Sequence, residues 1–388
     1  MRKLLKRILY LIATLLALHG IIAFSGHAYL YKGVWNTYLK GRTGPDIDEH
    51  EIFANRQVKA GGHIPWPLSE HYNEHELSAE ILREIEGYKT IAYLVIKDDS
   101  IRYEQYWDGY GPASATNSFS MAKTICSILT GIAIKEGKIE SVEQPVGDFL
   151  PEFREGNKSK ILIRHLLTMS SGISFDESYS GPFSFPAKAY YGDDLYELVM
   201  QYESGIEPGE IFDYQSGNTQ LLGFVLERAT GQTLSDYASE KLWKPLGAHY
   251  PALWSLDREG GHEKAFCCFN SNARDFARIG ALYLHNGRWK GERIVPRRYV
   301  KASLTVAGLL EKSGAPTTRY GYSWWLYNYK GMEVFYARGI LGQYVFGIPA
   351  LNAVVVRLGH DRARNPFDNP PDDVFTWLNA ALEIIEDK

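Results

Sequence analysis

Asn117-Ser118-Phe119-Ser120-Met121-Ala122-Lys123 leads into an apolar run that ends at Gly137. The run from Ser120 to about Lys135 predicts an α-helix, and Gly137 is typical of a helix end. In such a helix Lys123 lies on the same face as Ser120, one turn along, and the helix N-terminus places a positive dipole end beside the serine oxygen. A serine hydroxyl is a weak nucleophile that needs a base, and a lysine amine can serve if burial lowers its pKa. Ser120 and Lys123 are therefore the first candidate catalytic pair, although Ser-x-x-Lys alone arises by chance about once or twice in such a chain.

A second candidate is Tyr214, in the turn Tyr214-Gln215-Ser216-Gly217-Asn218 that precedes an apolar helix predicted over Leu221–Ala229. A tyrosine at the mouth of a helix can present its hydroxyl to a cleft. Close to a lysine it can shuttle a proton between nucleophile and leaving group. A packed core tyrosine is the alternative interpretation, since the chain contains 26 Tyr.

The third candidate region is Ala337-Arg338-Gly339-Ile340-Leu341-Gly342-Gln343, at the edge of a predicted strand. Glycine there lets a substrate lie close to the backbone, so Gly339 and Gln343 are candidate substrate-binding residues. The N–H groups of Ile340 and Ser120 could together form an oxyanion hole. A tight strand–turn–strand connection is the alternative.

Strand and helix patterns surround these three regions. A hairpin is predicted from Thr90–Ile96 and Ile101–Trp107, and a helix capped by Ser78 precedes it. Further strands are predicted at Tyr322–Tyr329, Met332–Arg338, Gln343–Ile348 and Ala353–Leu358, and further helices at Asp275–Leu284 and Asp372–Ile385. Strands at both ends of the chain predict an α+β fold, in which an antiparallel sheet is flanked by helices and carries an inserted, mainly helical subdomain at about 142–250.

The N-terminus differs from the rest of the chain. Arg2, Lys3, Lys6 and Arg7 precede an apolar run from Ile8 to Phe24, which becomes long enough to span a bilayer only if it continues to Leu30. We expect residues 1–31 to be a signal anchor or a cleaved signal peptide. Either interpretation places the body outside the cytoplasm, and the anchor keeps it attached to the membrane on the periplasmic side. Residues 32–87 are expected to form an arm and a helix, and residues 88–388 the main domain.

The three candidate regions, in this order, resemble those of the serine β-lactamases and penicillin-binding-protein-like hydrolases. The class C type is the most similar, and within it the branch of 6-aminohexanoate-dimer hydrolases and related esterases. Further stretches that carry the resemblance are Ile163-Arg164-His165-Leu166-Leu167-Thr168-Met169-Ser170-Ser171-Gly172, Pro245-Leu246-Gly247, Phe266-Cys267-Cys268 and Tyr320-Gly321-Tyr322-Ser323-Trp324-Trp325. The resemblance covers roughly residue 88 to the C-terminus.

This resemblance implies an acyl-enzyme on Ser120, with Lys123 and Tyr214 sharing the proton transfers and the amides of Ser120 and Ile340 holding the oxyanion. Ser216 stands where such β-lactamases carry an asparagine that binds the substrate amide, and Tyr179 is similar to a tyrosine that closes on substrate. Ala337-Arg338-Gly339 replaces Lys-Thr-Gly, which removes an anchor for the β-lactam carboxylate and favours the amide and ester hydrolases.

Composition excludes several other classes of function. A net charge of −4 provides no basic surface for nucleic acid. Three Cys are too few for a disulfide scaffold or a cysteine zinc site, and we expect all three to be buried thiols. We expect neither a metal nor a cofactor.

The sequence thus predicts a membrane-attached or secreted serine hydrolase of small-molecule amides or esters. The alternatives are a membrane-anchored binding or sensing protein of the penicillin-binding type, which does not turn over, and a weak β-lactamase or D,D-peptidase.

Overall fold

The computed structural model describes residues 2–179, 181–363 and 370–386. The α-helices in these ranges are α1 (Arg2–Phe24), α2 (Tyr29–Asn36), α3 (Ala79–Gly87), α4 (Met121–Lys135), α5 (Ile163–Leu167), α6 (Phe185–Tyr191), α7 (Leu195–Met200), α8 (Ser216–Thr230), α9 (Leu234–Ala238), α10 (Ala273–Leu284), α11 (Arg297–Ser303) and α12 (Asp373–Glu386). The strands in the same ranges are β1 (Asn55–Val58), β2 (Thr90–Lys97), β3 (Ser100–Tyr106), β4 (Thr116–Asn117), β5 (Ala252–Ser255), β6 (Phe269–Ser271), β7 (Arg288–Trp289), β8 (Glu292–Arg293), β9 (Trp325–Tyr329), β10 (Met332–Gly339), β11 (Gln343–Ile348) and β12 (Ala353–Gly359).

The main sheet is antiparallel, and its described strands follow the order β3-β2-β12-β11-β10-β9. The predicted hairpin forms β2 and β3, with Ala92 opposite Tyr106 and Lys97 opposite Ser100. Strand β12 pairs with β2, so strands from distant parts of the chain join in one sheet. The helices α5 to α9 lie between them in sequence. The predicted α+β class is confirmed.

Helices cover both faces of this sheet. Side chains of a strand point alternately to opposite faces, and β2 accordingly contributes to two cores. Ala92, Leu94 and Ile96 join the core that contains α4 and α10, whereas Tyr93 and Val95 join the core that contains α3 and α12. Burial on both faces explains why this strand is a nearly continuous apolar run.

Helix α4 runs through the interior of the molecule. Every residue from Met121 to Ala133 is buried, as is typical of a helix in the core of a large domain. It packs against α8 of the helical region and against β10 of the sheet. The residues before α4 are therefore fixed between the two halves of the fold.

A second sheet, ordered β1-β5-β6-β4 among the described strands, is absent from the sequence-based expectation. Its strands are two to four residues long, too short for a recognisable alternation. Strand β1 pairs with β5, which builds part of the segment 32–87 into the body. At the other edge β4 pairs with β6, directly before Ser120.

The N-terminal segment forms two helices instead of one long span. Helix α1 ends at Phe24, Gly26 adopts a φ of +76°, and α2 begins at Tyr29. The helix therefore ends before Leu30, because this left-handed glycine breaks it. No residue of α1 is buried against the body. Its 23 residues are long and apolar enough to cross a membrane, as a signal anchor or a signal peptide would.

Candidate active site

Ser120 is placed by a short strand and a strained turn. Strand β4 ends at Asn117, whose Oδ1 accepts a hydrogen bond from the backbone N–H of Phe119 at 2.8 Å. Phe119 adopts a φ of +44°, which is unfavourable for a side chain of this size. The Ser118 N–H donates to Phe269 O at 2.9 Å and holds this turn to β6. Strained backbone of this kind persists only where the surroundings enforce it, and it is common at functional sites.

Lys123 and Ser120 are in direct contact. Lys123 Nζ donates a hydrogen bond to Ser120 Oγ at 2.8 Å and another to the backbone oxygen of Phe266 at 3.0 Å. The Lys123 side chain is 1% exposed. Two fixed oxygens thus orient a buried amine against the serine hydroxyl, as the spacing of three residues in a helix predicted.

Tyr214 lies beside Lys123. Lys123 Nζ is 5.1 Å from the centre of the Tyr214 ring. That ring packs against Trp325, with centroids 5.3 Å apart, and against Tyr320, with centroids 6.0 Å apart. The tyrosine is therefore held by aromatic contacts from the region of β9, beside the amine.

The turn between β10 and β11 carries Ile340 next to Ser120. Both Ser120 and Ile340 line one cavity. Among the residues that the structure describes, neither of their backbone N–H groups has a protein acceptor. Free N–H donors at a cavity wall suit the binding of a developing oxyanion.

Two features hold that turn in place. A Cβ added at Gly339 would lie 2.3 Å from Ser118 O, so β10 can approach the turn before Ser120 only with glycine there. The fully buried Arg357 donates to Leu341 O at 3.0 Å and to Gly342 O at 2.7 Å. Leu341 itself adopts a φ of +61°.

Glu177 ties the predicted substrate-binding residues Ser216 and Tyr179 together. Its carboxylate accepts from the Ser216 N–H at 2.7 Å, from Ser216 Oγ at 2.5 Å and from the Tyr179 hydroxyl at 2.7 Å. A carboxylate at the N-terminus of α8 is favoured by the helix dipole.

Two cavities meet at Ser178 and Tyr179, which line both. The first has a volume of about 170 Å³, contains Ser120 and Ile340, and is walled largely by apolar and aromatic side chains. The second has a volume of about 930 Å³ and is lined by Tyr214, Glu177 and Arg338, among other polar residues. Ser120 therefore faces an apolar space, and Tyr214 a polar one.

Comparison with known proteins places this arrangement in a family. The beta-lactamase family model matches residues 79–374. The chain belongs to the beta-lactamase family.

A curated relative is the 6-aminohexanoate-dimer hydrolase of Paenarthrobacter ureafaciens, which is 29% identical over 72% of this chain and 74% of its own length. A solved structure described as a 6-aminohexanoate-dimer hydrolase from Bacillus anthracis superposes with a TM-score of 0.74 at 20% identity, and covers 87% of this chain and 92% of its own. A D-stereospecific amidohydrolase from Streptomyces superposes with a TM-score of 0.60 at 19% identity, and covers 78% and 98%. These relatives bear hydrolase names, and the chain is an enzyme of this serine-hydrolase family.

Most of the predicted site residues of this family member lie together. Ser120, Tyr179, Ser216 and Ile340 line the first cavity, and Lys123 reaches Ser120 from behind. Gln343 does not face either cavity. Its side chain is fully buried and bonds Ile340 O at 3.2 Å and Gly359 O at 2.7 Å, so the structure gives it the task of fixing the turn.

Three contributions escaped the sequence analysis. Glu177 lies in a loop without periodicity, Arg357 lies inside an apolar strand, and helix α2 forms one wall of the first cavity. An arginine in the interior of strand β12 was the one local signal available, because arginine is almost never fully buried without partners.

The cysteines differ in part from the expectation. Cys126 is a buried free thiol, as predicted, and burial raises its pKa. Cys267 and Cys268 are buried too, but they are bonded to each other as a disulfide, so the prediction of thiols is wrong for this pair. The φ of +65° at Cys268 turns the backbone between them and brings the adjacent side chains together.

Proposed function

We propose that this protein hydrolyses amide or ester bonds of small molecules through an acyl-enzyme on Ser120. The observation that carries the proposal is the 2.8 Å hydrogen bond from the buried Lys123 amine to Ser120 Oγ. Serine becomes a competent nucleophile when a base lies within such a distance. Membership of a family with hydrolase relatives supports the same chemistry.

In the acylation step Ser120 Oγ attacks the substrate carbonyl and loses its proton to the Lys123–Tyr214 pair. The oxyanion accepts hydrogen bonds from the N–H groups of Ser120 and Ile340. The C–N or C–O bond then breaks, and the leaving group takes the proton as an amine or alcohol. Attack by water on the acyl-enzyme releases the carboxylic acid and restores the serine.

The polar cavity beside Tyr214 suits the more polar part of the substrate, and the apolar cavity beside Ser120 the other part. Ser216 and Tyr179, both bound to Glu177, are proposed to contact the substrate where the two cavities meet. Gly339 contributes by letting β10 approach Ser118. Arg338 stacks on Trp325 with its guanidinium carbon 3.7 Å from a ring centre. Ala337 stands where similar enzymes carry the lysine that binds a β-lactam carboxylate.

We also propose that α1 anchors the body on the extracytoplasmic side of a membrane. Basic residues at Arg2, Lys3, Lys6 and Arg7 favour a cytoplasmic N-terminus. The Cys267–Cys268 disulfide is typical of proteins in oxidising compartments.

The test is covalent labelling of the full chain in detergent with a fluorophosphonate, followed by intact mass measurement. We expect one adduct on the parent, none on Ser120→Ala, and one on Ser159→Ala, which removes an exposed serine elsewhere. An unlabelled but folded parent would contradict the proposal. A single product burst without steady-state hydrolysis of p-nitrophenyl esters would favour a binding protein that does not turn over.

A further inference from the structure

Helix α2 presents apolar side chains on two separate faces. Leu30, Gly33, Val34 and Thr37 follow helical spacing and line the cavity that contains Ser120. A second face carries Tyr31 and Trp35, which are 43% and 66% exposed, and Leu39, in the short turn after α2, is 67% exposed. Large apolar groups with this exposure are unfavourable in water, and tryptophan and tyrosine concentrate at membrane interfaces.

The exposed apolar surface continues around the cavity mouth. Val34, Tyr38 and Tyr179 line the cavity and are nevertheless 44%, 63% and 43% exposed, so the rim itself is apolar. Phe183, next to this rim, is 57% exposed. A contiguous apolar patch of this kind marks an interaction surface.

This patch is fixed beside the helix that is long enough to cross a membrane. Only four residues separate α1 from α2. The His19 ring nitrogen of α1 and the Tyr31 hydroxyl of α2 are 2.8 Å apart, and the His27 ring lies 5.4 Å from that of Phe183. The Tyr29 hydroxyl donates to Pro182 O at 3.0 Å. The helix α1, the wall α2 and the rim of the cavity therefore form one surface.

The two cavities that meet at Tyr179 differ in polarity. The apolar one leads from Ser120 to the rim beside α2, whereas the polar one lies on the body side with Arg338 and Glu177. A molecule that occupies both has an aliphatic end toward the membrane and a polar end toward the body. This is the arrangement of an amphiphile partitioned into a bilayer surface.

Building on the proposed function, we propose that the substrates are long-chain aliphatic acyl esters or amides drawn from the membrane surface, with the chain held between α2 and α6. The face of α2 with Tyr31 and Trp35, together with Leu39 in the turn that follows, rests in the lipid interface and opens the cavity toward the bilayer. Ser120 takes the acyl group from the amphiphile with release of its alcohol or amine, and water releases the fatty acid.

The experiment uses the full chain in phosphatidylcholine vesicles, with p-nitrophenyl butyrate and p-nitrophenyl laurate as substrates. We expect kcat/KM to be at least about tenfold higher for the laurate, because each additional methylene leaves water for an apolar wall. Filling the wall with Ala187→Trp should remove most of this preference, whereas Ala79→Trp, on the exposed start of α3, should keep it.

The membrane-facing surface is tested with Leu39→Glu against Leu68→Glu, a leucine beside β3 that is 57% exposed. The first should lower laurate hydrolysis in vesicles about tenfold or more, with butyrate hydrolysis unchanged, since a carboxylate is costly to bury in the lipid interface. The second should change neither rate.

Butyrate hydrolysis without any preference for laurate, or equal effects of the two leucine variants, would overturn the membrane-substrate inference while leaving the serine hydrolase intact. Absence of hydrolysis of both esters, together with an unlabelled Ser120, would overturn the proposed function itself and the inference with it.

Discussion

At the scale of single residues, Lys123 contacts several of the groups that form the candidate site. Its amine contacts the Ser120 hydroxyl, the Phe266 carbonyl and the face of Tyr214. Neither acceptor is a carboxylate. Under the proposed mechanism this position needs an amine that can exchange a proton, which a positive charge alone does not supply.

Replacing Lys123 by arginine tests that requirement. Arginine keeps the charge but does not give up its proton in proteins, so we expect Lys123→Arg and Lys123→Met to lower kcat by about 10²–10⁴-fold. The measurement is ester hydrolysis together with the rate of fluorophosphonate labelling, on variants whose circular dichroism matches the parent. Near-parental labelling of Lys123→Arg would rule out proton transfer by the lysine.

Glu177 offers a second test at this scale. Glu177→Gln removes a charge that bonds the Ser216 N–H and Oγ and the Tyr179 hydroxyl. We expect the free energy of unfolding to fall by about 1–2 kcal/mol. We also expect kcat/KM to fall about tenfold, a loss of roughly 1.4 kcal/mol in transition-state binding.

Thermal unfolding and steady-state kinetics measure these two effects. Glu70→Gln, at an exposed position outside the site, serves as the control and should leave both unchanged. Unaltered kinetics in Glu177→Gln would show that the Glu177 carboxylate does not position the substrate-binding residues.

At the scale of elements, the approach of β10 to the segment before α4 decides whether the proposed oxyanion site can form. Ile340 can lie beside Ser120 because Gly339 lets the strand end come within contact of Ser118 O. The turn after Gly339 is held by Gln343, which donates to Ile340 O, and by Arg357, which donates to Leu341 O. The same packing thus fixes one strand end, one turn and one helix start.

Gly339→Ala should break this packing. Its Cβ would lie 2.3 Å from Ser118 O, and neither backbone segment is free to yield. We expect a loss of about 1–3 kcal/mol in stability, typical of overpacking, and a fall in kcat of at least about 100-fold from displaced oxyanion donors.

Kinetics and thermal unfolding of Gly339→Ala are compared with Gly111→Ala. Gly111 has open space around its added Cβ, so that variant should match the parent. A parental kcat in Gly339→Ala would show that catalysis does not depend on the close approach of Gly339 to Ser118 O.

At the scale of the whole molecule, the fully buried Lys264 marks where distant parts of the chain meet. Its Nζ donates to Ala189 O of α6 at 3.1 Å and lies 5.2 Å from the ring centre of Phe53 in the N-terminal segment. Lys32 of α2 lies 4.5 Å from the centre of the same ring. Burial, and then the Lys32 charge, lower the pKa of Lys264 to about 7.

This pKa predicts how stability changes with pH. Between pH 7 and pH 9 the unfolded chain keeps a proton on Lys264 that the folded chain has released, so the free energy of unfolding rises with pH, by about 2 kcal/mol from this group. Below pH 7 both states are protonated, and the folded state bears the full cost of the buried charge.

Lys264→Met should remove that rise, and the variant should gain most over the parent near pH 6. Urea unfolding at pH 6, 7, 8 and 9 measures the difference, with Lys138→Met, at an exposed position, as the control. The same pH dependence in parent and Lys264→Met would mean that another group causes it.

Local patterns in the sequence predicted those features of this protein that depend on residues close together in the chain. The Ser120–Lys123 contact follows from helical spacing, and the β2–β3 hairpin from two β-branched runs and a short turn. The helix α4 follows from a mostly apolar run that ends at Gly137. For each of these the interacting residues lie within a few turns or one hairpin of each other.

Tertiary structure alone decided what depends on long-range packing. Glu177, which contacts Ser216, lies in a loop without hydrophobic periodicity. No local sequence pattern indicates that α2 lines the cavity that contains Ser120. The side chain of the candidate Gln343 is hydrogen-bonded to backbone carbonyls. Its bond to Gly359 O depends on the pairing of β11 with β12. A hydrogen bond or a cavity wall between distant segments needs only one suitable residue on each segment. Such single residues form no periodic pattern in the sequence, and their positions relative to each other are set only when the whole chain packs.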